Sequence, residues 1–183
     1  RYPTDVVRVF AIAAQLNKNS VEQLLQEYQK DYRNISEILQ KILFNLENFN
    51  LEQDSQKTSN LHELNSQVLA YTNTWLSEID CAYKRKDFGK AWHLVKEFSQ
   101  RSLRENYLPQ LENLIAKSNS SYVNKSTQNV LYQMLIVYLQ RLAPITPFLA
   151  EHTYVELIEQ INPIEDTQLS IFLLDWMSQI FED

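Results

Sequence analysis

Glycine is almost missing from this chain: Gly89 is the only one among 183 residues, where soluble proteins average roughly 7%. That scarcity argues against Gly-rich phosphate loops, tight β-hairpins and a nucleotide-binding crossover, all of which need unobstructed or left-handed backbone. Cysteine is equally scarce. The single Cys81 excludes an internal disulfide and any multi-cysteine zinc site, and it fits a reducing compartment. On its helix it reads as a small buried hydrophobe rather than a nucleophile. No apolar run reaches the ~18 residues of a membrane span and no signal peptide is visible, so no membrane partner is expected. His62, His93 and His152 lie far apart without the spacing of a metal site, and no catalytic constellation is evident. Positive charge is absent from one end, because Phe148 to Asp183 holds eight acids and no Lys or Arg.

What the chain does have is helical periodicity. The formal net charge of −6 argues weakly against nucleic acid, but between Lys84 and Arg104 seven bases face two acids. A phosphate backbone senses such a local patch within a Debye length of ~8 Å rather than the total. Apolar residues recur at spacings of three and four over long stretches, with few strand-like alternations, which predicts an all-α fold. A first helix spans about Asp5 to Leu16, with Val6, Val9 or Phe10, Ala13 and Leu16 inward. Ser20 and Gln23 form a capping box for a second, carrying Val21, Leu24, Tyr28, Tyr32, Ile35, Leu39, Ile42 and Leu46 on one face to about Asn48. The polar segment Leu51–Asn60 reads as a loop. Asn60 with Glu63 caps a third helix bearing Leu61, Leu64, Val68, Tyr71, Trp75, Ile79 and Ala82.

Asp87 caps a fourth helix that Pro109 should kink or interrupt. Ser118–Lys125 reads as a loop before a fifth helix starting at Ser126, which is apolar nearly all round from Val130 to Leu139 and therefore buried. Pro144 ends it, and Thr146-Pro147 restarts helix with the threonine hydroxyl as cap. Beyond Asn162-Pro163 the chain should be extended or irregular through Leu173. The expected architecture is an antiparallel bundle of about six helices over residues 1–162, with a tail, 163–183, packing back on it.

The corner Leu142-Ala143-Pro144-Ile145-Thr146-Pro147-Phe148-Leu149-Ala150-Glu151 resembles the close of the anticodon-binding domain of class Ia aminoacyl-tRNA synthetases. Four further segments are similar to that family in its own order. Arg1-Tyr2-Pro3-Thr4-Asp5-Val6-Val7-Arg8 resembles Y-G-A-D-V-L-R. Tyr32-Arg33-Asn34-Ile35 through Asn45-Leu46-Glu47-Asn48-Phe49 resembles Y-R-K-I-R-N…L-L-G-N-L-x-D-F of bacterial-type isoleucine enzymes. Ala82-Tyr83, Asp87-Phe88 and His93 match A-Y-x-x-x-D-F-x-x-x-x-H, and Ser170-Ile171-Phe172-Leu173-Leu174-Asp175-Trp176 is similar to S-V-H-L-T-D-W. Pro3, Ser36 and Glu37 depart from the family pattern, and a K-D-R sequence expected after Tyr107 is absent.

The resemblance implies a cytoplasmic or organellar isoleucine–tRNA ligase, with the valine and leucine enzymes close behind. It implies tRNA and the parent's catalytic domain as partners. The family's H-I-G-H and K-M-S-K-S motifs are missing, so this chain alone should be inactive, and no cofactor is expected in it: ATP and Mg belong to the parent. A rival reading is a helical interaction module that kept the fold and lost RNA binding.

The candidate tRNA contacts are Lys84, Arg85, Lys86, Lys90, Arg101, Arg104, Arg33 and Arg8. Lys86, Lys90, His93, Glu97, Arg101 and Arg104 form one polar, mostly basic stripe on the fourth helix, opposite Phe88, Trp92, Val95 and Leu103. Such a stripe suits phosphates, whose binding releases counterions, or it is an ordinary solvated face. Trp92 belongs either to the core or to a stack on a splayed base. Arg8 and Arg33 enter through the resemblance; Arg8 either faces RNA or pairs with Asp5 one turn away.

Overall fold

The computed structural model describes residues 2–13, 20–50, 63–117, 121–161 and 170–177, except the side chains of 115–117 and 121–124. Helix follows helix, and no strand occurs among these residues. The order is α1 (Thr4–Ala13), α2 (Val21–Asn45), α3 (Glu63–Lys84), α4 (88–117), α5 (Ser121–Leu142) and α6 (Pro147–Gln160). A single 3₁₀ turn, Ile171–Leu173, follows where irregular chain was expected. The loop read over Leu51–Asn60 and the Asn60 cap lie outside the described residues.

α2 begins as its sequence dictates. The Ser20 hydroxyl accepts the Gln23 N–H while the Gln23 side chain accepts the Ser20 N–H, closing the capping box. Leu24, Tyr28, Ile35, Leu39 and Ile42 then bury one face. Val21 does not join them, being 52% exposed in the first turn.

On α3 the buried face is centred on two polar residues. Thr72 donates to the Val68 carbonyl at 2.7 Å, and the Asn65 amide N–H donates to Thr127 on α5 at 3.0 Å, so each enters the core with a donor satisfied, while the Asn65 Oδ1 is buried without a partner. That rotation pushes Tyr71, expected inside, to the surface. It also leaves Cys81 exposed: the residue sits two positions beyond the buried Ile79, on the far side of the helix.

α4 is one rod in three segments. Phe88–Glu97 is α-helical, Phe98–Tyr107 is π-helical, and Leu108–Lys117 returns to α. Asp87 caps its start by accepting the Lys90 N–H at 2.9 Å. Pro109 therefore does not break the helix. The wide turns end at Leu108, whose N–H reaches back five residues to Leu103. They absorb the register change that a residue without an N–H imposes.

α5 is the centre of the bundle. From Val130 to Leu142 every side chain is buried except Tyr132 and Gln133, which are half-buried. The helix packs against α2, α3 and α6. It starts earlier than expected, because Ser121–Lys125 is already helical. Tyr138, wholly buried, shares a hydrogen bond with Ser99 on α4 at 2.5 Å and stacks on Trp75; burial pushes its phenol well above the ordinary range.

The α5–α6 corner turns where Pro144 predicts, but its cap comes from elsewhere. Thr146 holds the N-cap position, yet its hydroxyl makes no capping bond and turns back to the Leu142 carbonyl at 3.5 Å. The Asp5 carboxylate of α1 takes that role, accepting the N–H of Leu149 at 2.9 Å and of Phe148 at 3.5 Å. Burial raises the Asp5 pKa above its ordinary 3.8, and the two backbone donors and the Arg8 charge oppose that rise.

A second buried charge ties down the C-terminal segment. Arg141, wholly buried, pairs with Asp80 of α3 through two nitrogens at 3.0 and 2.9 Å. It also donates to the Met177 carbonyl and lies 4.1 Å from the Trp176 ring centre. Gln140 accepts the Met177 N–H, and Glu151 accepts the Ile171 N–H at 3.1 Å.

Candidate nucleic-acid interface

A furrow runs between α2 and α4. Its larger part, about 590 Å³, is lined by Lys30, Asp31 and Asn34 on one bank and by Lys96, Arg101 and Arg104 on the other. A second hollow of about 520 Å³ shares Glu27, His93 and Lys96 with it and extends to Lys90, Asp87 and Ala13. Three of the expected residues, Lys90, Arg101 and Arg104, thus edge one continuous feature. The signal that could have added Lys30 and Lys96 was present: Lys30 lies one helical turn from Arg33, and Lys96 lies inside the basic run.

Three of the furrow's cations are partnered by carboxylates. Lys96 meets Asp31 at 2.9 Å, Arg101 meets Glu97 at 2.9 Å, and Arg104 meets Glu37 at 3.2 Å while touching Asn34. Glu37, one of the departures from the family pattern, therefore has a local task. These pairs are only partly sheltered; the Arg101 side chain is 73% exposed. Exposed pairs contribute about 0–1 kcal/mol, so an incoming phosphate can replace the carboxylate at small cost.

Lys84, Arg85 and Lys86 stand apart from the furrow, exposed at the turn that joins α3 to α4. Lys86 belongs to that turn and not to the helical stripe, with φ at 58° in the left-handed region. No ion pair to a described residue engages these three or Lys90. Arg33 is exposed on α2 outside the furrow lining.

Arg8 is elsewhere altogether. It donates to the Pro144 carbonyl at 3.2 Å, clasping α1 to the α5–α6 corner. Trp92 is 2% exposed and belongs to the core. Among the described residues no three His, Cys, Asp or Glu side chains converge on a metal site, and His62 lies outside them.

The fold is an all-helical bundle with a furrow edged by cations. Residues 65–182 match the model of the family described as the anticodon-binding domain of tRNA ligase, and the chain belongs to that family. It is similar to the isoleucine–tRNA ligase of Caldicellulosiruptor saccharolyticus, 28% identical over 182 residues, which is 96% of this chain and 19% of the relative. It is 30% identical over 156 residues to that of Nitrosomonas europaea, covering 85% of this chain and 16% of the relative. The mitochondrial enzyme of Mus musculus is 28% identical over 156 residues, 85% of this chain and 15% of the relative. The chain thus spans about a fifth or less of the length of these relatives. No helix among the described residues is long and apolar enough to cross a membrane.

Proposed function

We propose that this chain recognises the anticodon stem-loop of isoleucine tRNA as part of an isoleucine–tRNA ligase acting in the cytoplasm or an organelle. The observation that carries the reading is the placement of cations: Lys90, Lys96, Arg101 and Arg104 along one furrow, with Lys84, Arg85 and Lys86 exposed at the turn beside it. The bundle, residues 1–162, supplies a rigid frame, and the tail, 163–183, completes it through the contacts of residues 170–177. The catalytic part of the parent would charge the acceptor end while the bundle holds the other. Bacterial and mitochondrial relatives named as isoleucine–tRNA ligases support the choice of amino acid over valine or leucine.

On this reading ATP and Mg belong to the parent's catalytic part rather than to this chain. Its one glycine, Gly89, lies in the first turn of α4 rather than in a phosphate loop. Isoleucine-dependent pyrophosphate exchange by this chain alone should stay at background; activity that co-purifies with it and disappears on mutating one of its residues would contradict that. A second reading, a module that has lost RNA binding, is favoured by one observation, the pairing of Asp31, Glu37 and Glu97 with the furrow's cations. Mobility shift with tRNA over a salt series separates the two. The recognition reading requires a shifted complex that weakens steeply with salt; absence of any complex at low salt supports the second.

A further inference from the structure

Across α4 from the furrow lies a smaller cleft, about 230 Å³, between α3 and the start of the π-helical segment. Tyr71, Thr74 and Glu78 form its α3 side, and Arg101 and Ser102 its α4 side. Tyr71 is 61% exposed there. An isolated exposed aromatic on a protein surface needs no explanation. This one shares its cleft with a guanidinium and rests on a stiff floor: Trp75, buried in the same cleft, stacks on Phe98 with ring centres 4.5 Å apart and donates its indole N–H to the Leu94 carbonyl at 3.1 Å. Arg101 borders both this cleft and the furrow, so a strand whose phosphates follow the furrow meets an aromatic face at that point.

We propose that this cleft holds one unpaired nucleotide, its base stacked on Tyr71 and its phosphate on Arg101. The proposal rests on the anticodon-binding reading and adds to it a place where a loop base is splayed out of the RNA. The chemistry is that of single-strand binding, where an aromatic face takes any base and a cation takes the backbone. Paired RNA offers no free base face and would gain nothing from Tyr71. Glu97, which holds Arg101 at 2.9 Å in the free protein, is the group the phosphate displaces.

The test uses the whole 183-residue chain and two RNAs, an anticodon stem-loop carrying 2-aminopurine in the loop and a fully paired stem. Tyr71→Ala should weaken stem-loop binding by roughly 5- to 150-fold, the range of one base–aromatic stack. It should also abolish the protein-induced change in 2-aminopurine fluorescence and leave both the salt slope and paired-stem binding unchanged. Tyr71→Phe should retain affinity and signal. Arg101→Ala should lower the log–log salt slope by about 0.7, one single-strand phosphate contact. Stem-loop binding by Tyr71→Ala at wild-type affinity would overturn the proposal while leaving the anticodon-binding reading intact, as would an equal loss for the paired stem. Failure of the wild-type chain to bind either RNA would remove both. Because Tyr71 is a surface residue, an unchanged melting temperature shows that the variant is folded.

Discussion

Arg141 and Arg101 carry the same side chain on neighbouring helices and do opposite things. Arg141, on the central helix α5, is wholly buried and its donors are spent on Asp80, Gln140 and Met177. Arg101, on the π-helical segment of α4, is mostly in water with one glutamate beside it. Around Arg141 polar groups close on one another and fasten the C-terminal segment to the bundle. Around Arg101 they lie in an open furrow, loosely paired and replaceable. A buried charge stripped of its partner is costly, whereas an exposed one can exchange partners freely. Arginine content alone therefore says little about RNA binding; what matters is whether the fold has already consumed the donors.

The largest expected effect comes from breaking the closed region. Arg141→Met should cost about 3–5 kcal/mol in denaturant melts, since it leaves Asp80 without its partner and frees the Trp176–Met177 segment. The equivalent change at Arg101 should cost less than about 1 kcal/mol. Equal costs at the two sites would erase the distinction. Leu135→Ala, fully buried on the same central helix, should cost about 2–5 kcal/mol through reduced burial and a residual cavity, and a cost below ~1 kcal/mol would displace α5 from the centre.

Asp5 sharpens the comparison with pH as the variable. Its folded pKa is raised, chiefly by burial, so the native state binds a proton more tightly than the unfolded chain. The stability that protonation contributes is complete below the ordinary value of 3.8 and is lost as pH rises through the raised folded value. Wild type should thus gain stability relative to Asp5→Asn on acidification from neutral pH. A difference between the two that does not vary with pH would mean that burial does not dominate at Asp5.

Much of the frame is legible in the sequence because its signals are local. The Ser20–Gln23 box, the Asp87 cap, the Pro144 stop and the apolar α5 each depend on residues within a turn or two. The departures share a different cause. An apolar stripe taken as the centre of the α3 face puts Tyr71 and Cys81 inward, whereas the core takes Asn65 and Thr72 there, each with its donor hydrogen-bonded. Thr146 has the sequence of a cap that Asp5 supplies from 141 residues upstream, a pairing visible only in three dimensions. Nothing near Arg141 in sequence marks it as buried; Asp80 and Trp176 come to it through the packing of α3 and the tail. Among the candidate RNA-facing residues, spacing links Lys90, Arg101 and Arg104 along α4. The same spacing puts Lys86 on the helix when it sits in the turn, and it gives Arg8 no hint of its hold on Pro144.

On the proposed reading the open cations hold RNA, while the closed ones hold the fold. The most direct measurement of that claim is the salt dependence of tRNA affinity for the wild-type chain and for Lys84, Arg85 and Lys86 changed together to Glu, with melting curves as the check on folding. The predicted result is weaker binding and a log–log slope flatter by roughly 0.9 for each duplex phosphate no longer held, with stability unchanged. A folded variant with the wild-type slope would contradict the claim and place the RNA on another face of the bundle.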